Sequence, residues 1–219
     1  FKWWLMSEFT DIVKYFGYIF LAINTFLYFK SNRKNSIAFE IFSYYLVGIL
    51  IIQLISNLLA DIKYPNLFLS HYYFIGQFVF LSFFFKQILT KRKQKKTITS
   101  VLILVLVTLG IYYYINPKMY YTFNQLEIVL TSVPLLLYSL FFFIQKIDDS
   151  NKQFLYITSG LFIYLLCSTL LFVSGKIGVG SSLKVMIWRL NSILYLFYQI
   201  LVFVEWYKNF RKPIKKKLN

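Results

Sequence analysis

Apolar residues in this chain gather into seven long blocks instead of alternating with polar ones. The blocks lie at about 11–29, 36–60, 67–89, 98–115, 122–144, 153–174 and 183–206. A hydrocarbon core of about 30 Å takes about 20 helical residues at a rise of roughly 1.5 Å each, and every block is near that length. The gaps carry turn and breaker residues: KSNRKN, DIKYPN, TKRKQKK, NPKMYY, KIDDSNK and GKIGVGSS. No gap is long enough for a second domain, and no internal repeat is visible. The pattern predicts an all-α, polytopic membrane protein: a seven-helix bundle over 11–206, an N-terminal segment 1–10 and a basic tail 207–219.

Composition agrees with this reading. Hydrophobic residues make up 58% of the 219, and the mean hydropathy is +0.60, beyond what an ordinary soluble domain carries. Phe, Tyr, Ile, Asn and Lys are all abundant; their codons are AT-rich, so the aromatic excess is not read as a binding signal. The lone Cys167 excludes an intrachain disulfide, and the lone His71 excludes an all-histidine metal site. The chain opens FKWWL ahead of a candidate start at Met6, so these five residues are expected either to be foreign or to lie inside a longer chain. The stretch EFTDIVKYF has acidic residues where a secretory leader would be basic.

Charge then gives direction. The net charge of +16 could point to nucleic acid, but the basic residues cluster in or beside the gaps. With residues at span ends assigned to the nearest gap, which adds Lys86 to the third, the first, third and fifth gaps hold 3, 6 and 2 Lys and Arg, and the tail from Lys208 to Lys217 holds 6. That places 17 of the 24 on one side and 6 on the other, with Arg189 set apart inside the last block. Such a bias predicts the N-terminus outside and the C-terminus in the cytoplasm. Trp3, Trp4, Tyr72, Tyr73, Tyr112, Tyr113, Tyr114, Tyr120, Tyr121 and Trp188 then fall near the outer interface, where amphipathic rings sit. On the inner side, Lys91, Arg92, Lys93, Lys95 and Lys96, with Lys208, Arg211, Lys212, Lys215, Lys216 and Lys217, are expected to meet anionic lipid headgroups. Glu40 and Glu205, near inner ends, are expected to pair with nearby Lys or Arg.

Candidate chemistry rests on the few polar residues inside the blocks. Gln53, Asn57 and Asp61 recur at i, i+4 and i+8 on one face of the second block; Asn124, Glu127 and Thr131 share a face of the fifth. The seventh offers Arg189, Ser192 and Gln199, with Asn191, Tyr195 and Tyr198 on a neighbouring face, and the third has His71 and Gln77. Counted inward at about 1.5 Å per residue, Glu127, Arg189, His71 and Asn57 lie roughly 6–10 Å below the outer boundary. Charged groups at such depth face a partner or a wet cavity, so Arg189 is expected to pair with Glu127 inside a cavity open to the outside. The bland alternatives are a structural clamp and an Arg189 that snorkels. His71 is expected to donate to Asp61 or Glu127. Pro134 is expected to kink the fifth helix, freeing the Leu130 carbonyl.

Several functions are disfavoured. A retinal-binding pump needs a lysine at mid-depth in the last span, and none lies between Lys184 and Lys208. Intramembrane hydrolases need paired acids, metal ligands or a Ser–His dyad, and adjacent Ser70 and His71 point in different directions on a helix. Seven blocks without a repeat do not fit the two-fold transporter plan. The run FEIFSYYLVGILIIQLISNLLADIKYPNLFLSHYYFIGQFVFLSFFF, with IWRLNSILYLFYQILVFVEWYKNF, resembles bacterial seven-helix membrane modules, some of which precede sensor kinases. The resemblance implies a receptor-like module of the bacterial cytoplasmic membrane, with no cofactor. Its ligand would be a small molecule or lipid, and its output would pass to a separate partner, since the chain ends at Asn219. An oligomeric effector, channel or transporter, and a lipid-modifying enzyme using Glu127 and His71, stand as alternatives.

Overall fold

A computed structural model describes residues 2–31, 35–147, 149–174 and 181–211, and among these every regular element is helical. The helices are α1 (Lys2–Ser31), α2 (Ile37–Asp61), α3 (Leu69–Ile88), α4 (Arg92–Ile115), α5 (Gln125–Lys146), α6 (Leu155–Ser174) and α7 (Ser181–Glu205). A short 3-10 helix, Pro117–Tyr121, joins α4 to α5, and a π-helical turn, Trp206–Phe210, extends α7. Six of the seven are long and apolar enough to cross a membrane, as in a multi-pass membrane protein. The exception is α3, where His71, Gln77 and Lys86 dilute an otherwise aromatic run.

Two boundaries differ from the sequence pattern. Helix α1 begins at Lys2, so the segment 1–10 is mostly the opening of a helix whose apolar part starts at Ile12. Helix α4 begins at Arg92, so most of TKRKQKK is its first turns and not a gap. The α1 extension mixes Lys2, Glu8 and Asp11 with apolar residues and that of α4 is basic, and a hydropathy pattern registers burial in lipid, not helicity.

Local chemistry sets the other ends. Ser36 caps α2 by accepting from the Phe39 amide, and Asn124 caps α5 by accepting from the Leu126 and Glu127 amides. At the end of α2, Lys63 takes a left-handed φ of 57°, and the Lys63 and Tyr64 amides return to the carbonyls of Ala60 and Leu59. Helix α5 runs unbroken past Pro134.

Six helices close a ring in the order α1, α2, α3, α5, α6, α7, while α4 packs outside it against α3 and α5. Sequence neighbours in the ring run antiparallel. Helices α1 and α7 run parallel, since Gly17 meets Tyr195, Asn24 meets Gln199 and Tyr28 meets Val202. Peripheral α4 has the smallest buried share, 22% against 44% for α5. One end of the bundle is an aromatic core: Tyr28 stacks on Phe39 at 4.8 Å, and Phe210 lies 4.6 Å from Phe39 and 5.3 Å from Phe154. Gly160 lets α6 and α7 approach, because a Cβ there would meet Leu201 and Tyr198 side chains at 3.0 to 3.1 Å.

Glu205 closes the same end. It is fully buried and accepts from the Phe154 amide at 2.6 Å, the Tyr156 amide at 2.9 Å and the Asn209 side chain at 2.6 Å. The carboxylate thus caps the start of α6 from α7, and among the described residues no Lys or Arg pairs with it as its sequence position implied. Two free amides at a helix N-terminus are a better match for a buried carboxylate than a cation that would have to leave water. The cap also holds Phe154 at a left-handed φ of 67°, a conformation that costs a bulky residue about 1–3 kcal/mol.

Candidate functional site

At the other end, the polar residues separate into two groups. The first lines a cavity of about 450 Å³ enclosed by α1, α2, α3, α6 and α7. Gln53 and Asn57 come from α2, Asn191 and Tyr195 from α7, and Lys14 and Tyr18 from α1. Tyr73 of α3 shares a hydrogen bond with Tyr164 of α6 at 3.2 Å across its floor, and Tyr18 donates to the side-chain Oδ1 of Asn57 at 3.5 Å. Two polar atoms of the lining residues, Asn191 Oδ1 and the Tyr195 hydroxyl, are buried and have no hydrogen-bond partner. The remaining wall is aromatic, with Phe172 between Phe123 at 5.4 Å and Trp188 at 5.6 Å.

The second group is closed. His71 Nδ1 lies 2.8 Å from Glu127 Oε2, with the two side chains 4% and 0% exposed. His71 Nε2 lies 2.9 Å from the Tyr120 carbonyl oxygen, and Tyr120 stacks on the imidazole at 5.5 Å. Tyr113 of α4 lies 2.9 Å from Nδ1, donates to Glu127 Oε2 and accepts from Asn124 Nδ2 at 2.9 Å. Proton bookkeeping follows from the partners. Nε2 faces only a carbonyl, so it carries a hydrogen; Nδ1 and Oε2 then hold one more proton between them, as imidazolium and carboxylate or as imidazole and acid. Both forms satisfy the same bond and leave the pair neutral. Above it, hydrogen bonding to Tyr72 together with slight burial pushes the Tyr120 phenol up to about 12, so this lid carries no charge at neutral pH.

The ten residues singled out by the sequence therefore divide. Gln53, Asn57, Asn191 and Tyr195 line the cavity; His71, Glu127 and Asn124 belong to the closed cluster. Gln77 sits deeper, buried and donating to Tyr45 at 3.0 Å, and Asp61 is exposed at the end of α2. Arg189 does not pair with Glu127. Helix α5 packs on α3, α4 and α6, while α7 packs on α1 and α6, so α6 lies between the two charges. The Glu127 carboxylate is taken by His71 and Tyr113; Arg189 is half-buried, and its Nε is buried without a hydrogen-bond partner.

Several contributors were missed. Lys14 is one of the six Lys and Arg on the less basic side, and Tyr73, Tyr113 and Trp188 are expected from the sequence as interface rings. The three aromatic residues share a signal, a hydroxyl or indole one to two turns inside an apolar block, which the aromatic abundance of the chain conceals. Ser70 forms no dyad, since its hydroxyl donates to the Leu67 carbonyl at 2.6 Å. At the opposite end Lys91, Arg92, Lys93 and Lys96 are exposed and Lys95 is half-exposed. Lys208 donates to the Tyr156 hydroxyl at 2.8 Å and Arg211 covers the Tyr207 ring at 4.8 Å. Lys212, Lys215, Lys216 and Lys217 lie outside the described residues. Comparison with protein-family models, with curated proteins and with solved structures gives no match.

Proposed function

We propose that the protein is a receptor-like module of the bacterial cytoplasmic membrane. Seven helices span the bilayer with the N-terminus outside, and the cavity among α1, α2, α3, α6 and α7 binds a small molecule or lipid. One observation carries the reading: a cavity of about 450 Å³ is lined by residues whose Asn191 Oδ1 and Tyr195 hydroxyl are buried and unpartnered. Leaving such groups unsatisfied costs about 1–3 kcal/mol each, and a ligand that bonds to them recovers that cost. Cavities of about 300–1,000 Å³ with a few convergent polar groups are the usual form of a small-ligand site.

The reading assigns the His71–Glu127 cluster a scaffold role, tying α3, α4, α5 and the 3-10 helix together beside the cavity. Ligand contacts on α1, α2 and α7 would bias how these helices sit against that fixed part, and the change would reach a cytoplasmic partner through the opposite end. Four or more basic side chains crowd the first turns of α4, where the helix dipole disfavours them, so anionic headgroups are their natural counterions.

Native mass spectrometry of protein extracted without delipidation tests the site. A bound species of small mass is expected in the wild type and is expected to be lost from the Asn191→Leu/Tyr195→Phe double variant; adducts equal in both would refute the cavity as the site. Topology is tested in a Cys167→Ser background: a membrane-impermeant maleimide should label Lys118→Cys on intact cells and Lys93→Cys only after permeabilisation. The reverse pattern would overturn the orientation.

A further inference from the structure

The chemistry of the cavity walls narrows the occupant. Among the described residues no aspartate or glutamate lines the cavity, and the one basic side chain that does is Lys14, 5.5 Å over the Tyr18 ring. A cationic ligand would meet π faces but no carboxylate, and Lys14 would repel it. Donors are plentiful on the same side: because Asn57 turns its carbonyl oxygen to Tyr18, its amide nitrogen is left to donate elsewhere. The opposite wall is a continuous aromatic surface. Phe74 lies 6.3 Å from Phe123 and 6.4 Å from Phe172, and Phe172 lies 5.6 Å from Trp188. A wholly polar ligand would leave that surface unmatched, and a volume of about 450 Å³ suits one short tail.

We infer that the cavity takes a single-tailed amphiphile whose head carries an anionic oxygen, with Lys14 and the Asn57 amide at the head and Phe74, Phe123, Phe172 and Trp188 along the tail. Tyr195 donates to the same head, and Asn191 Oδ1 accepts from any hydroxyl the head bears. This inference rests on the cavity being a binding site, as proposed above.

The test uses purified full-length protein in a neutral maltoside detergent and two bromine-tipped twelve-carbon probes, an alkyl carboxylate and an alkyl trimethylammonium. Bromine quenches indole fluorescence on contact, and Trp188 lies in the wall. Saturable quenching by the carboxylate is expected in the wild type and should vanish in Trp188→Phe. Lys14→Gln should weaken it by about tenfold, equivalent to about 1.4 kcal/mol, whereas Lys14→Arg should retain it. Acetate at matching concentrations should not compete. Equal quenching by the two probes would overturn the anionic head while leaving the cavity as a binding site, and no saturable quenching by either would overturn both readings. Competition by acetate would make this a free-anion site and refute the tail, and quenching that persists in Trp188→Phe would place the probe elsewhere and refute the inference.

Discussion

The His71–Glu127 pair allows a decisive measurement, because the sequence offered two partners for Glu127, His71 and Arg189, and only His71 meets it. The perturbations are His71→Phe, which keeps a ring against Tyr120, and Glu127→Gln, which keeps the shape of the side chain. Removing His71 leaves a fully buried carboxyl with Tyr113 as its remaining partner; removing the charge of Glu127 leaves an imidazole facing an amide. In soluble proteins, breaking a buried ion pair costs about 3–5 kcal/mol. Hydrogen bonds between membrane helices couple far less, averaging about 0.6 and reaching about 1.7 kcal/mol. This pair has 4% and 0% exposure and a bond of 2.8 Å, placing it at the strong end of the second range.

A coupling of about 1.5 kcal/mol is therefore expected between His71→Phe and Glu127→Gln. The assay is reversible unfolding in mixed micelles, titrated with a denaturing detergent, for the wild type, both single variants and the double. Arg189→Leu serves as the control, since α6 separates α7 from α5. Its effect should add to that of Glu127→Gln within about 0.5 kcal/mol. Additivity for His71 with Glu127, together with coupling for Arg189 with Glu127, would refute the assignment of partners.

Three further outcomes follow from the structure. Glu205→Leu removes the acceptor from the Phe154 and Tyr156 amides, so a loss of about 2–4 kcal/mol is expected in the same unfolding assay; Glu205→Gln, which keeps one acceptor, should lose less. Gly160→Ala sets a Cβ against Leu201 and Tyr198 at 3.0 to 3.1 Å and should cost about 1–3 kcal/mol, while Gly110→Ala, which meets nothing within 4 Å, should be neutral or slightly stabilising. Asp149 accepts from Lys146 at 2.6 Å, which holds its carboxyl below the usual value of 3.8. A depressed folded value gives a contribution that is present above 3.8 and is lost as pH falls through the folded value, so Asp149→Asn should shift stability at neutral pH and leave it unchanged at the acid end.

Most of the fold was legible because lipid imposes a single demand on every helix. A block long enough to cross must be apolar on most faces, and the six helices that meet this test all overlap blocks read from the sequence. The pattern lost accuracy where the demand lapses. The start of α1, where Lys2, Glu8 and Asp11 interrupt the apolar residues, and the basic turns of α4 are helical, but hydropathy does not register them as spans. Conversely, α3 is less apolar than its neighbours because α2, α4 and α5 surround it and supply partners for His71 and Gln77. Its polarity reports protein contacts where lipid would otherwise be.

For the polar residues, spacing along one helix fixes a face and a depth but not which helix stands opposite. Asn57, His71 and Glu127 do lie toward the same end of the bundle, yet the choice of partner for Glu127 depended on the ring order α3, α5, α6, α7, which periodicity does not contain. Arginine looked the natural partner for the carboxylate on charge alone; the adjacency of α3 and α5 outweighed charge. The division also decides what chemistry is available. Neither His71 nor Glu127 is among the residues that line the cavity, so the pair stands apart from the space the proposed ligand would fill. Among the described residues, what reaches that space is an ammonium, amides, hydroxyls and aromatic faces. Under the proposed reading the titratable pair belongs to the scaffold, and Lys14, which shares the cavity wall with Tyr18 one turn on, becomes the side chain on which ligand choice turns.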